Sequence, residues 1–512
     1  MRLNILLSSL LPVFVRAAVQ DPVCVVGAGP TGLAAAHALE AKNYSVVIFD
    51  KELEVGGKCQ AYYDGVDGSL WHPMGALVVS NASYTETVPI IKDAGVPFLP
   101  GLSVTTGWDY PPLSPGDSVV NVTRMPTPTL DQIALILLEV PRYTALRDAI
   151  VKRTGVMRYT NGVPNDLTIP MGQWLSKNGF EGLPIIVNAS LQLIGYGDLE
   201  HTPALYALKY LSADLLAWYT NLGTVNFVGE FHPIPSDRFI NETGFECADY
   251  HAVFLHYASS IHGQIHTNTA VTKIDRSGPS PVLTHVSLGS TQPQTQVQNC
   301  SHLVLAFPPI LEALQSTGSS SGATVDWNTT GIDMDLSPSE TSVFSRVGLT
   351  AYFSGAVGMP QVPPQVAFAQ LPTADVGQPV LMTKMHQGSG VVGTYSWGPW
   401  TPTGRGNLSV EEARNILLQT YSRVDFSPAS ADSEMDSENT SGAIPITDQD
   451  VREFRKWDYF PRFQSEDLAN GIYDKYNALQ GQQKTYWASG LNGFEMVEYA
   501  IQAGKEIVET FF

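Results

Sequence analysis

Residues 23–50 read VCVVGAGPTGLAAAHALEAKNYSVVIFD, and this stretch decides the fold. The unbroken apolar run at 23–26 predicts a parallel strand that is buried on both faces. A glycine-rich turn follows at 27–32, and the alanine- and leucine-rich segment 33–39 predicts a helix. A second apolar run at 44–49 predicts another strand, which ends at Asp50. Strand, glycine turn, helix and acid-ended strand in this order predict a βαβ unit that binds a dinucleotide.

The three glycines of the turn have different physical tasks. Gly27 permits the tight turn out of the strand, and Gly29 lets the backbone approach a pyrophosphate closely. Gly32 allows the helix to pack on the sheet, while the N–H groups of the helix N-terminus face the phosphates. Asp50 follows Gly32 by 18 residues, close to the spacing of about 20 for a carboxylate on a ribose diol. Such a carboxylate would repel a 2′-phosphate, which predicts an unphosphorylated adenosine.

The segment after this unit resembles the flavin amine oxidase superfamily. Val55-Gly56-Gly57-Lys58 matches a superfamily turn of two glycines and a cation, and the resemblance implies that Lys58 neutralises the FAD pyrophosphate. Three more segments match at 266–274, 303–309 and 485–490, and 74–77 (MGAL) is similar to the segment beside the isoalloxazine ring. The implied cofactor-binding residues are Gly27, Gly29, Pro30, Thr31, Gly32, Asp50, Lys51, Gly57, Lys58, Gly75, Ala76, Val271, Gly490, Met496 and Val497. In this reading Val271 meets the adenine through its backbone, and Val497 donates to the flavin pyrimidine edge.

Two further segments resemble a narrower family. FRKWDYFP at 454–461 and SGLNGFE at 489–495 are similar to the fungal β-cyclopiazonate dehydrogenase family, and bacterial polyunsaturated fatty acid double-bond isomerases are more distant matches. The resemblance implies an α/β fold with a Rossmann-type, amine oxidase-like FAD-binding domain, a discontinuous α+β substrate domain and a helical cap. The expected FAD-binding domain comprises 22–85, 235–312 and 460–512. The expected substrate and cap domain comprises 86–234 and 313–459.

The chain departs from the superfamily pattern at three places. Ala488-Ser489-Gly490 stands where many amine oxidases have Ala-Gly-Glu, so the glutamate contact to the ribitol is missing or replaced. The stretch 489–495 has no cysteine to attach the flavin, which predicts non-covalent FAD. No lysine near 347–349 corresponds to the one that holds water at flavin N5, which disfavours simple amine oxidation.

The segments that resemble the flavin-facing parts of the family supply the catalytic candidates. These are Trp457, Tyr459 and Glu495, with Phe494 as a further pocket residue. Glu495 would be a general base if it is partly buried, or simply an acid favoured by the positive end of the last helix. The aromatic residues fit the core or the pocket rim equally well, and His386 fits a structural histidine.

Three functions are compatible with these residues. The first is FAD-dependent oxidation, with or without ring closure, of a small hydrophobic natural product in fungal secondary metabolism, with hydride passing to flavin N5 and molecular oxygen as acceptor. The second is redox-neutral double-bond isomerisation of a lipid-like substrate. The third is FAD binding by a glycoprotein without catalysis.

The composition and the N-terminal segment of the 512 residues indicate which binding partners and which cellular compartment to expect. A formal net charge of −20 disfavours binding to nucleic acid or to an anionic membrane surface. Residues 1–18 resemble a signal peptide, too short to span a bilayer, which predicts a secreted or luminal protein. Nine glycosylation sequons agree with this: Asn43, Asn81, Asn121, Asn188, Asn241, Asn299, Asn328, Asn407 and Asn439. Cys24 is expected in the core, a Cys247–Cys300 pair is left open, and no spacing predicts a metal site.

Overall fold

The computed structural model describes residues 21–66, 68–100, 104–109, 123–124, 129–155, 157–228, 245–289, 294–315, 331–360, 362, 366–370, 376–386, 388–423 and 445–512. The helices are α1 Pro30–Ala41, α2 Thr87–Asp93, α3 Leu130–Thr154, α4 Met171–Lys177, α5 Leu183–Leu193, α6 Ala204–Tyr210, α7 Ala213–Val228, α8 Tyr250–Ser259, α9 Leu311–Leu314, α10 Pro338–Phe344, α11 Val410–Tyr421, α12 Ser465–Ala469, α13 Ile472–Asn477 and α14 Val497–Phe511. Short 3₁₀ turns lie at Asn165–Leu167, Gln482–Lys484 and Gly490–Asn492. Among these described helices, we find none with the length and apolarity that a membrane span requires.

The strands within the described ranges form five sheets. They are β1 Val23–Val26, β2 Val46–Phe49, β3 Ala61–Asp64, β4 Leu70–Pro73, β5 Val78–Ser80, β6 Leu99–Pro100, β7 Val104–Asp109, β8 Thr123–Arg124, β9 Phe245–Cys247, β10 Gln264–His266, β11 Thr269–Asp275, β12 Val282–Ser287, β13 Thr295–Asn299, β14 His302–Leu305, β15 Asp333–Met334, β16 Gly348–Gly358, β17 Val366–Gln370, β18 Pro379–Thr383, β19 Val391–Trp400, β20 Val451–Arg462 and β21 Thr485–Trp487.

A five-stranded parallel sheet holds the glycine-rich turn. Its strand order is β10-β2-β1-β14-β21, so its strands come from the start, the middle and the end of the chain. Strands β1 and β2 are buried at every position, as the unbroken apolar runs predict. Helix α14 packs on α1, because Gly504 leaves room for the carbonyl of Thr31. The predicted Rossmann-type α/β fold is confirmed.

A second layer joins a mixed sheet to a group of helices. The seven-stranded sheet has the order β20-β16-β19-β18-β17-β7-β8, and helices α3 to α7 build a helical layer. Helix α3 continues through Pro141. Helices α6 and α7 are separated between Tyr210 and Ala213, and helix α10 precedes strand β16. The division into domains stays a prediction.

One disulfide ties the parallel sheet together. Cys24 on β1 is bonded to Cys300, which lies just before β14, across 276 residues of sequence. The expectation that Cys24 is only a core residue is therefore incomplete. The Cys247–Cys300 pair, which the sequence leaves open, does not form, because Cys300 is bonded to Cys24. The reason is register: β1 and β14 are adjacent parallel strands, which brings the two Cα atoms within 5.6 Å.

The described sequons differ in exposure. Asn43, Asn81, Asn299 and Asn407 are exposed, whereas Asn188 is half-buried in α5 and its side chain contacts Gln192 and Leu199. The sequons at Asn121, Asn241, Asn328 and Asn439, like residues 1–18, lie outside the described residues. Glycosylation and the signal peptide therefore stay predictions.

Glu498 joins the last helix to helix α2. It is 3% exposed and accepts hydrogen bonds from the backbone N–H of Glu86 at 3.0 Å and from the N–H and hydroxyl of Thr87 at 2.9 and 2.7 Å. We expect Glu498→Ala to lower the free energy of unfolding by about 3 kcal/mol, because buried donors at the start of α2 lose their acceptor. The chemical denaturation midpoint measures this loss. Glu509→Ala, on an exposed position of α14, is the control, and equal midpoints for the two variants would contradict the prediction.

Candidate active site

A large cavity lies between the parallel sheet and the mixed sheet. Its volume is about 1240 Å³, above the roughly 300–1,000 Å³ that holds a drug-sized ligand. All but one of the predicted cofactor residues line it: Gly27, Gly29, Pro30, Thr31, Asp50, Lys51, Gly57, Lys58, Gly75, Ala76, Val271, Gly490, Met496 and Val497. The exception, Gly32, packs beneath the turn, where an added Cβ would lie 1.8 Å from the Gly27 carbonyl oxygen.

Two helix N-termini open into this cavity. Helix α1 begins after Gly29 and helix α14 begins after Met496, and neither N-cap residue offers a side-chain hydrogen bond to its helix. The first N–H groups of both helices are thus left without side-chain caps, and the positive end of each helix faces the cavity. This pair of termini fits a dinucleotide whose phosphates lie at the N-terminus of α1. The N-terminus of α14 would stabilise negative charge that develops on the flavin ring.

The glycines of the two turns leave space for a phosphate backbone. An added Cβ on Gly57 would lie 2.9 Å from the Gly29 Cα, so the two turns are in backbone contact. Gly75 is equally tight, because its added Cβ would lie 1.7 Å from the Lys58 carbonyl oxygen. Side chains at Gly57 and Gly75 would collide with this neighbouring backbone, so the glycines let the segments pack closely around the cavity. The cradle that they form fits FAD.

Asp50 lies at the adenosine end of the cavity. Its carboxylate accepts hydrogen bonds from the N–H of Ala28 at 2.5 Å and from the N–H of Glu52 at 2.8 Å. Burial raises the pKa of the Asp50 carboxyl, and these two bonds oppose that shift. Asp50 therefore holds the glycine turn against β2 as well as facing the predicted ribose position.

Lys58 and Glu495 lie side by side in the cavity. Their charged atoms are 2.9 Å apart, and their side chains are 27% and 14% exposed. The family resemblance implies that Lys58 lies at the pyrophosphate, and the sequence leaves Glu495 as either a general base or an acid favoured by the last helix. The structure pairs these two side chains with each other, and both roles stay predictions. In this ion pair the positive charge of Lys58 and the negative charge of Glu495 balance each other.

Aromatic side chains line the rest of the cavity, which we call the aromatic chamber. Tyr459 is stacked between Tyr196 and Tyr352, with ring centroids 5.3 and 5.1 Å away. Burial raises the pKa of these three hydroxyls well above the usual range, so they stay protonated at neutral pH. The chamber rings belong to Tyr84, Tyr196, Tyr210, Trp218, Tyr219, Tyr352, Tyr395, Trp457 and Tyr459.

Of the remaining predicted site residues, some line the cavity and others lie outside it. Trp457 lines the chamber, and its indole N–H donates to the Met74 carbonyl at 3.1 Å and to the Ser354 hydroxyl at 2.7 Å. Phe494 lies behind the chamber wall, 1% exposed, rather than on the lining. His386 contacts the Trp71 carbonyl at 2.9 Å and is not among the cavity residues, in agreement with a structural histidine.

Sequence reasoning missed most of the chamber. Tyr196, Tyr210 and Tyr219 come from the helical layer, whereas Tyr352 and Tyr395 come from the mixed sheet. In sequence these residues look like ordinary members of apolar segments, and no spacing marks them. Within the described parts of the chain, no group of His, Cys, Asp and Glu side chains could hold a metal ion.

Comparisons with known proteins agree with the nucleotide-binding geometry. The family model for an NAD(P)-binding Rossmann-like domain matches residues 25–92. FAD-dependent oxidoreductase dpasF of Apiospora sacchari is 24% identical over 340 residues, covering 65% of this chain and 62% of that protein. FAD-dependent oxidoreductase oblC of Cochliobolus heterostrophus is 22% identical over 497 residues, covering 91% of this chain and 85% of that protein.

Solved structures share the whole fold. A fatty acid isomerase from P. acnes that produces CLA aligns with a TM-score of 0.69 and 20% identity, over 96% of this chain and 99% of that one. A triple mutant of putrescine oxidase aligns with a TM-score of 0.57 and 16% identity, over 96% and 98% of the two chains. Both proteins therefore share the fold of this chain.

Proposed function

We propose that this chain, an FAD-dependent oxidoreductase of the flavin amine oxidase-like superfamily, oxidises a small hydrophobic natural product of fungal secondary metabolism. The observation that carries the proposal is the continuity of one cavity, in which the glycine cradle opens directly into the aromatic chamber. FAD held at Gly27, Gly29 and Gly57 would supply the redox chemistry, with its N5 as the hydride acceptor. We propose molecular oxygen as the final acceptor and non-covalent FAD.

The protein's own residues position the substrate and exclude water. The stacked rings of Tyr196, Tyr459 and Tyr352 offer flat apolar surface on which a planar or polycyclic hydrophobe can lie. Protonated tyrosine hydroxyls cannot take up a proton from a substrate at neutral pH. Glu495 is the carboxylate next to these rings, but its pairing with Lys58 favours a role in charge balance over one as a base.

The test is anaerobic mixing of the FAD-loaded protein with cinnamyl alcohol, n-octylamine and linoleic acid. Loss of the oxidised flavin spectrum, with oxygen uptake when air is admitted, supports the oxidation of that compound class. Oxidation of n-octylamine alone would restore simple amine oxidation and contradict the proposal. If the protein holds FAD but none of these compounds reduces the flavin or is converted, the protein would be a flavin-binding glycoprotein without catalysis.

Double-bond isomerisation is the second candidate. Its support is the fold shared with the P. acnes fatty acid isomerase over 96% of this chain. The aromatic chamber, which is continuous with the cradle, agrees with a lipid-like substrate. Formation of a conjugated diene from linoleic acid without oxygen uptake would favour it. Oxygen consumption in proportion to product would exclude it, because an isomerase returns the hydride to its own substrate.

Glu495→Gln is expected to tighten sulfite binding to the FAD-loaded protein by about tenfold. The sulfite adduct of flavin is anionic, and the variant removes the carboxylate that neutralises the Lys58 ammonium in the cavity. A spectrophotometric sulfite titration measures the change. Glu54→Gln, which removes a carboxylate at the adenosine end of the same cavity, is the control. Equal sulfite affinity in the Glu495 and Glu54 variants would contradict the charge-balance role, and unchanged turnover would exclude Glu495 as the base.

We also propose that the protein enters the secretory pathway. The apolar segment after Arg2, the sequons and the Cys24–Cys300 disulfide support this, because disulfides persist in oxidising compartments. Endoglycosidase treatment of the protein from its native host tests the proposal by gel mobility. An unchanged mobility, together with an intact N-terminus starting at Met1, would reject it.

A further inference from the structure

Three tyrosine hydroxyls of the aromatic chamber donate to backbone carbonyls. Tyr196 donates to the Glu495 carbonyl at 2.5 Å, Tyr352 to the Leu193 carbonyl at 2.8 Å, and Tyr395 to the Pro73 carbonyl at 3.0 Å. These three hydroxyls are thus engaged by the backbone. A substrate in contact with them meets mainly their ring carbons.

Tyr210 and Tyr219 instead face each other. Their hydroxyl oxygens are 2.6 Å apart, and within the described residues this mutual contact is their hydrogen bond. Two hydroxyls carry two protons, and one bond between them uses one proton. The second proton is therefore available to an acceptor that enters the chamber.

The backbone holds this pair rigidly at the chamber wall. Tyr210 ends α6 and Tyr219 lies in α7, so the break between these helices sets their relative position. The Tyr210 ring stacks on Phe494 at 5.6 Å and meets the edge of Tyr196 at 4.8 Å. Tyr210 and Tyr219 are 2% and 7% exposed, yet both line the cavity.

The surroundings of the pair define the chemistry of its ligand. The cavity-lining residues from α6 and α7 are Tyr210, Leu215, Trp218 and Tyr219, and none of them is charged. A carboxylate buried against them would lack a counter-charge on that wall, whereas a neutral oxygen needs only one donor. Burial also raises the pKa of Tyr210 well above its usual range, so the pair remains a donor.

We propose that the Tyr210–Tyr219 pair binds a neutral oxygen of the substrate, a ketone, ester or ether, at the helical wall of the chamber. This inference rests on the proposed function, because it takes the chamber as the substrate site. It narrows the substrate class to hydrophobic compounds that carry an uncharged hydrogen-bond acceptor. The pair acts as a specificity-determining contact.

The test compares two probes of the same shape, 4-phenylcyclohexanone and phenylcyclohexane, which differ by the ketone oxygen. The dissociation constant of each is measured from the change in flavin absorption of the FAD-loaded full chain. We expect the ketone to bind about fivefold more tightly, as one net hydrogen bond would give. In the double variant Tyr210→Phe/Tyr219→Phe the ketone should lose this advantage while phenylcyclohexane binds as before.

Tyr352→Phe is the matched control, because its hydroxyl is engaged by Leu193 and its variant should keep the preference. The carbonyl stretch of bound 4-phenylcyclohexanone gives a second measurement on the unmodified protein, and we expect a shift to lower frequency. Equal binding of the two probes, an unshifted carbonyl stretch, or a preference that persists in the double variant would overturn the inference alone. If neither probe changes the flavin spectrum, the proposed substrate site is wrong, and the inference falls with it.

Discussion

Gly29→Val is expected to weaken FAD binding by at least about 100-fold, roughly 3 kcal/mol, while the protein stays folded. An added Cβ at Gly29 would meet the Gly57 Cα at 3.6 Å, an ordinary contact, so the fold tolerates it. The valine methyl groups would project into the cradle between the two glycine turns. They would hold the phosphate backbone away from the N–H groups that begin α1.

The measurement is a titration of the FAD-free protein with FAD, followed by flavin fluorescence. Gly388→Val is the matched control, because Gly388 is exposed and an added Cβ there meets nothing within 4 Å. Circular dichroism should show that both variants keep their secondary structure. FAD affinity in Gly29→Val within threefold of the control would mean that the pyrophosphate does not lie at this turn.

Loss of the disulfide is expected to have the second large effect. The Cys24→Ala/Cys300→Ala variant should be less stable by about 5 kcal/mol, because the bond closes a loop of 276 residues in the unfolded chain. For a chain of 512 residues this corresponds to a fall in Tm of roughly 5 °C. The bond also fixes β1, from which the glycine turn starts.

Thermal unfolding followed by circular dichroism measures this change. Cys247→Ala is the control, since Cys247 is also fully buried but stands outside the disulfide. Its loss of stability should reflect only the removal of one small buried side chain. A Tm for the double variant within one degree of this control would show that the bond does not stabilise the native fold.

The cofactor half of the site was predictable because its signals are local. Gly27, Gly29 and Gly32 occur between an apolar run and a helix, and each glycine has a backbone task that other residues cannot perform. The prediction that Gly57, Gly75 and Val271 bind the cofactor rested on the resemblance to a known family. All three indeed lie at the same cavity.

The substrate half was not predictable because it is assembled over long distances. Tyr196 and Tyr459 are stacked at 5.3 Å although 263 positions separate them in the sequence. The same holds for Lys58 with Glu495 and for Cys24 with Cys300, whose pairing depends on strand order. The sequence shows that a tyrosine lies within an apolar segment. It does not show whether the tyrosine hydroxyl contacts a backbone carbonyl or faces the aromatic chamber.

The order of strands in the parallel sheet has a consequence for how the protein is made. Strand β1 lies between β2 and β14, and the sheet is completed only by β21 at residues 485–487. At roughly 5–20 residues per second, a ribosome needs on the order of half a minute or more to travel from β1 to β21. The nascent chain must therefore carry the exposed apolar edge of β14 until β21 has emerged from the ribosome. Chaperones that shield this edge should therefore raise the yield of folded protein. Truncations that remove β21 should lower it.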